Sequence, residues 1–272
     1  MPENEKPPAR RVDDYLPKTK TKRILTKEEI QSKRQSMYKY ETHCHTSPVS
    51  FCAKASVAET VQFYKSRGYA GLFITNHFLD GNICPSVKTL PYKEQLDFYF
   101  SDFEAGVREG EKIGISVFPG VELSYKGTDF LIYGLGKYWF QEHPEIMEMK
   151  KTEELQLMMD SGALVIQAHP YREEHYINHI RLFPRHVHGV EVVNTSQKGE
   201  ANEMAALYAK HYHLLETCGS DNHWAGNVFE KLRSKGLKPE IAGMCSETPI
   251  INVRDFMGKI FSGEMKPFIE AE

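Results

Sequence analysis

The chain has 272 residues, 40% of them hydrophobic, and a formal net charge of −3; this is enough apolar material for a full core and a normal length for one α/β barrel domain. No apolar stretch approaches a membrane span, and the N-terminus is polar and charged where a signal peptide needs an apolar core. The slight negative charge argues against broad electrostatic binding of nucleic acid, and five cysteines with no CxxC pair and no disulfide-framework spacing fit a reducing cytoplasm.

Residues 1–36 carry Pro2, Pro7, Pro8 and Pro17 among many charges, with almost nothing apolar before Ile24 and Leu25. Such a segment cannot offset its ordering entropy by burial. A loose basic arm is expected, with Lys18, Lys20, Lys22 and Arg23 close together and a short helix over 26–36.

From Met37 onward strand-like and helix-like runs alternate, and residues 37–272 read as one domain. The first strand, 37–43, leads into His43-Cys44-His45. Alternate strand residues point the same way, so both imidazoles can reach one ion while Cys44 points into the packing. Val57, Val61 and Tyr64 then share one helical face. A strand over 70–76 delivers His77, and a helix follows on which Tyr92, Leu96, Tyr99, Phe103 and Val107 share a face. The strand over 115–121 ends at Glu122, a carboxylate able to bridge two ions. After a fourth strand, 129–135, Pro144 can start a helix that runs to about Asp160 and is stopped by Gly162. The strand over 163–168 ends at His169-Pro170 and that over 188–194 at Asn194. A helix from Asn202 to Tyr212 leads to the strand 213–219 and then to Asp221-Asn222-His223. Ile250-Ile251 is a candidate for a further short strand, and Val253 to Phe261 for a last helix.

Regular β-α alternation implies a parallel sheet, and seven strands imply an incomplete or distorted barrel. The C-terminal ends of barrel strands share one rim. His43, His45, His77, Glu122, His169, Asp221 and His223 therefore read as a single polynuclear metal site. Spacing alone would be weak support, because His186-Val187-His188 and His211-Tyr212-His213 share the pattern of His43 and His45. The first of these pairs precedes a strand and belongs on the opposite rim, and the second ends a helix; both are read as surface or packing histidines.

Five ordered motifs, Glu41-Thr42-His43-Cys44-His45-Thr46, Ile74-Thr75-Asn76-His77, Gly120-Val121-Glu122, Ala168-His169-Pro170 and Gly219-Ser220-Asp221-Asn222-His223, resemble those of the PHP (polymerase and histidinol phosphatase) metal-dependent phosphoesterases over roughly residues 37–262. The resemblance implies a distorted (β/α)7 barrel and two or three divalent ions, zinc, manganese or iron. Carried over by motif, His43, His45, Glu122 and Asp221 would hold the first ion, Glu122 and His169 would help hold a second, and His77 and His223 a third. Three positions depart from the family pattern. An acid or histidine often follows the paired histidines where this chain has Ser47-Pro48-Val49-Ser50-Phe51-Cys52, with Cys52 either a substitute thiolate ligand or a loop or packing cysteine; a histidine often follows the fourth strand where Leu135-Gly136 stand; and Asn76 replaces the usual aspartate.

The activity expected is hydrolysis of a phosphoric ester, as a phosphatase or phosphodiesterase, by metal-activated water. Arg172, three residues after His169, is the candidate cationic contact, since a guanidinium can bind two phosphate oxygens. Asn194 is a candidate for contacting substrate or an ordered water, and the loops around Tyr125-Lys126-Gly127 and Tyr171-Arg172 should shape the pocket. The expected partner is a small phosphorylated metabolite or nucleotide, with nucleic acid disfavoured, no membrane, and a cytoplasmic location. Two rivals stand beside this reading. One is C–N hydrolysis in the manner of amidohydrolase barrels, which usually bridge their metals with a modified Lys and close with a lone Asp. The other is a non-catalytic metal-binding scaffold.

Overall fold

The computed structural model describes residues 37–226, 230, 233–236 and 240–270. The expected N-terminal arm lies outside them. Strands β1 (Tyr38–Cys44), β2 (Gly71–Ile74), β3 (Ser116–Pro119), β4 (Val121–Tyr125), β5 (Thr128–Tyr133), β6 (Leu164–Ala168), β7 (Gly189–Asn194), β8 (Leu215–Gly219), β9 (Ile241–Ser246) and β10 (Lys266–Glu270) occur in that order. They form two five-stranded sheets, β10-β9-β1-β2-β3 and β4-β5-β6-β7-β8.

The expected distorted (β/α)7 barrel is thereby corrected to a mixed α/β fold of two sheets, with no closed barrel among the described residues. Strands β1, β2 and β3 are parallel to one another, and so are β6, β7 and β8. In contrast, β5 is antiparallel to both β4 and β6, and β9 is antiparallel to β1 and β10. The cause of the first reversal is local. Only Lys126 and Gly127 separate β4 from β5, at φ 53° and 83°. Two left-handed residues make the tight turn that suits a hairpin, whereas parallel strands need a crossover of a dozen or more residues.

The helices cover the sheets. Helix α1 (Val57–Ser66) starts with a capping box in which Ser56 and Glu59 satisfy each other's backbone amides. Helix α2 (Tyr92–Ile113) ends at Gly114, and α3 (Lys137–Glu142) is an element the hydrophobic pattern does not reveal. The helix expected from Pro144 to Asp160 is divided into a 3-10 turn, Pro144–Met147, and α4 (Lys151–Asp160). Ile146 and Leu155 both enter the same core cluster. At roughly 100° per residue one continuous helix would put them on opposite faces, and the break lets both be buried. Helices α5 (Ala201–Tyr212) and α6 (Val253–Ser262) lie close to their expected bounds. Ile250 is not in a strand; its amide donates to the Tyr40 hydroxyl at 2.7 Å.

The inner faces of both sheets meet in one cluster. Tyr40 and Phe73 come from the first sheet, Leu131, Tyr133, Ile166 and Cys218 from the second, and Phe256 from α6. On the outside, Val190 and Val192 pack on Ala205 and Tyr208 of α5. The sheets are also joined by single parallel bridges, His77 to Glu122 and Cys44 to Asn222. Both bridges lie among the residues that the sequence marks as metal ligands. Among the described residues no helix is long and apolar enough to cross a membrane.

Candidate metal centre

The paired histidines owe their aim to an irregularity in β1. The register with β2 shifts between Glu41 and Cys44, a bulge of the kind that redirects side chains near sites. Tyr40 thus faces the core between the sheets, while Glu41 meets Tyr64 of α1 and Cys44 packs among α1 residues. Glu41 anchors the bulge. Its carboxylate accepts the amides of Thr42, His43 and Ser220 and the hydroxyls of Tyr64 and Ser220. Asn76 holds the following loop. Its Oδ1 accepts from the Thr46 amide at 2.7 Å and the Ser50 hydroxyl at 2.8 Å, while its Nδ2 donates to Thr46 Oγ1 at 2.9 Å. An aspartate could make the first two contacts but not the third.

All seven sequence-identified residues converge. His43 Nε2 lies 3.2 Å from both His45 Nε2 and Glu122 Oε1, and 3.6 Å from Asp221 Oδ1. His45 Nε2 lies 3.2 Å from Asp221 Oδ1 and 3.4 Å from Glu122 Oε2. His169 Nε2 is 3.3 Å from Glu122 Oε1, and His223 Nδ1 is 3.5 Å from Asp221 Oδ1. Four donor groups, each with ligand atoms within 4.8 Å of one another, can be drawn: His43-His45-Glu122, His43-His169-Asp221, Glu122-Asp129-His169 and His45-His77-His223. His169 and Asp221 hold φ of 25° and 52°, a conformation that non-glycine residues rarely adopt and that concentrates at functional sites.

The donor set fits divalent ions. His77 Nδ1 and Glu122 Oε2 are buried 2.5 Å apart as an ion pair, and neither has a well-aligned hydrogen bond. An ion bound by both atoms would replace the proton that holds this buried pair together. Tautomers agree. Ser50 Oγ donates to Asn76 and accepts from the His77 amide, so the 3.1 Å contact with His45 Nδ1 is donated by the imidazole, leaving the His45 Nε2 lone pair free.

Charges are balanced internally. Burial works against the His43 imidazolium, but the carboxylates of Glu191, Asp221 and Glu122 outweigh it and hold the pKa well above the usual histidine value. His77 and His169 are raised against their burial chiefly by Glu122. His45 is the neutral member, pushed well down by burial and by its neighbours His223 and His77. Burial raises the Cys52 thiol, but hydrogen bonds from His223 and His77 prevail and bring it to about 6. Its Sγ lies 3.1 Å from His223 Nε2, at the edge of the centre.

Two buried carboxylates of the centre escape the sequence reading. Asp129 joins Glu122 and His169, with Oδ2 3.9 Å from His169 Nε2. The parallel-barrel expectation directs attention to Leu135-Gly136, after the fourth strand. Because β5 is antiparallel to β6, its first residues and not its last reach the site; Asp129 pairs with Ala168 in the register. Glu191, on β7, is 3.0 Å from His43 Nδ1. An acid between Val190 and Val192, which face α5, was the available signal. Asn194 is not a substrate contact: it is fully buried and donates to Glu191 Oε2 at 2.8 Å.

Arg172 reaches the centre through Asp129, its Nη1 donating to Oδ2 at 3.1 Å while Nη2 contacts the Tyr176 hydroxyl. The control histidines sit elsewhere. His188 Nδ1 accepts the Val165 amide near the start of β6, and His213 caps α5 at φ 56°. Changing His186 and His188 together to Gln is expected to leave metal content and turnover nearly unchanged. A loss comparable to that from removing His45 would contradict the strand directions.

No protein-family model and no curated protein matches the chain. Solved structures do. A two-domain Bacteroides vulgatus protein, described as containing a "predicted PHP-like metal-dependent phosphoesterase", superposes with a TM-score of 0.62 at 14% identity over 86% of this chain. This chain spans 65% of that protein's length. PsfC from Pseudomonas syringae superposes with a TM-score of 0.51 at 14% identity, covering 87% of this chain and 92% of its own. These likenesses establish the fold.

Proposed function

We propose that this chain is a metal-dependent hydrolase of phosphoric esters, acting on a small phosphorylated molecule. The observation that carries this reading is the convergence of three carboxylates and five imidazoles from both sheets, with His77 and Glu122 buried against each other as an ion pair. His43, His45, Glu122 and Asp221 would hold one ion, Glu122, Asp129 and His169 a second, and His77 and His223 a third with His45 alongside. Ions held there would acidify water and neutralise phosphate charge.

The chain's own residues supply the rest. A cleft of about 1550 Å³, lined among others by Lys126, Tyr171, Arg172, Lys198 and Trp224, opens over His77, Asp129 and Asp221. Small-ligand pockets run to ~300–1,000 Å³, so there is room for the alcohol part of an ester as well as its phosphate. Arg172 lines the cleft with its guanidinium oriented by Asp129 and Tyr176. Replacing it with Lys keeps the charge but loses the planar fork, so kcat/KM should fall about tenfold with metal content unchanged. Wild-type kinetics in that variant would leave Arg172 as a strut for Asp129 only.

The residue shared by the His43-His45 and the Asp129-His169 donor groups is a carboxylate, Glu122, and this favours the phosphoester reading over a lysine-bridged amidohydrolase site. The deciding assay supplies zinc, manganese or iron to the purified protein with chromogenic phosphate monoesters, diesters and amides. Metal-dependent release from a phosphate ester supports the proposal. Turnover of amides alone, or of nothing at all in a metal-loaded protein, rejects it.

A further inference from the structure

We infer that Glu191 is a positioning residue of the centre, one buried anion that fixes the ring of His43 and the backbone of His169 together and so couples two neighbouring ion positions. The inference rests on the divalent-metal reading above. Glu191 is fully buried on β7, and both of its oxygens are engaged. Oε1 accepts from His43 Nδ1 at 3.0 Å. Oε2 accepts from the His169 amide at 3.2 Å and from Asn194 Nδ2 at 2.8 Å.

Each contact has a consequence for the donor set. A proton held on Nδ1 of His43 leaves the lone pair on Nε2, and Nε2 is the atom that faces His45 Nε2 and Glu122 Oε1. A carboxylate behind the imidazole also makes that lone pair more basic, the usual role of an anion backing a metal-binding histidine. His169 needs a different kind of help, because its φ of 25° is sparsely populated and its amide would otherwise be free to turn. The two rings lie 5.6 Å apart and 25° from parallel, so movement of either would disturb its neighbour.

The surrounding strands are built around this contact. The β7–β8 register shifts between Glu191 and Val193, a bulge beside the site. Opposite, a Cβ on Gly219 would stand 2.6 Å from His43 Cβ and 2.7 Å from Glu191 Oε1, so β8 must end in glycine for the pair to meet.

The test uses zinc-loaded protein and does not depend on turnover. In the wild type, 15N spectra of the histidine side chains should show His43 protonated at Nδ1 and metal-bound at Nε2. Glu191→Gln should lower zinc affinity by about 10–100-fold, measured by competition with a chromogenic chelator. Glu191→Asp, which keeps the charge, should recover part of the loss. Zinc affinity of Glu191→Gln within about threefold of wild type overturns the inference while leaving the metal reading intact, since that factor is well below the usual effect of such partners. Zinc uptake by neither protein rejects both. Should Glu191→Gln fail to fold, the wild-type spectrum decides alone, and metal bound at Nδ1 of His43 rejects the positioning role.

Discussion

Replacing His45 with Ala is expected to lower the proposed metal-dependent hydrolase turnover by about a thousandfold and to remove bound metal, with circular dichroism nearly unchanged. His45 belongs to two of the four donor groups, and its Nε2 is within 3.4 Å of His43, Glu122 and Asp221. A bound ion contributes several kcal/mol of transition-state charge stabilisation, and about 4 kcal/mol corresponds to a factor of about 10³. The fold should survive because the side chain sits at a strand end and, Ser50 apart, touches other residues of the centre. Metal analysis and kcat/KM on the same preparation check both halves. Turnover within about tenfold of wild type would remove His45 from the ligand set, because that is too little for the loss of an ion.

Metal affinity should rise steeply with pH, and the metal-free protein should show the opposite trend in stability. His43, His77 and His169 have folded-state pKa values above the ordinary 6.5. Stability from such raised groups is fully present below pH 6.5 and is lost as pH climbs through the raised values. Glu41 acts in the same sense, since burial pushes its carboxyl to about 7 despite hydrogen bonds from Ser220 and Tyr64. Glu122 and Asp221 are depressed well below the usual 4.5 and 3.8, held down against burial by His77 and His43 respectively among their neighbouring imidazoles. Their contribution is present above those usual values and is lost only as pH falls through the depressed ones.

Metal-free protein should therefore be most stable in mild acid, where protons on His43, His77 and His169 balance the carboxylates, and should weaken towards alkaline pH. Those three groups and Glu41 outnumber the lowered His45 and Cys52, which act in the opposite sense. An ion replaces those protons. Each proton displaced makes apparent metal affinity climb about tenfold per pH unit. Thermal midpoints with and without chelator should diverge as pH rises, and calorimetry in buffers of different ionisation enthalpy should register proton release. Metal affinity flat across the neutral range would show that the imidazoles are not the atoms displaced.

Chemistry-bearing residues at the ends of apolar runs were legible in the sequence because a residue's ligand type is local and so is the period of its strand. The paired histidines at the end of β1, His77 after β2, His169 after β6 and Asp221 with His223 after β8 all follow from that reading. So does the dismissal of His188, whose place before β7 is a matter of chain order.

Strand direction and partner choice are different in kind, because packing between distant segments sets them. Lys126-Gly127 does mark a turn, but only the pairing of β5 with β6 brings Asp129 to the centre and carries Leu135 away from it. Glu191 belongs to the site because a bulge and a facing glycine let it approach His43, and neither the bulge nor the approach has a local signature. The sequence by itself determined which side chains could bind metal and that most lie at strand ends. The tertiary structure decided that two sheets, not a closed barrel, assemble them, and which buried carboxylates complete the set, because burial and hydrogen bonding between remote strands select the partner.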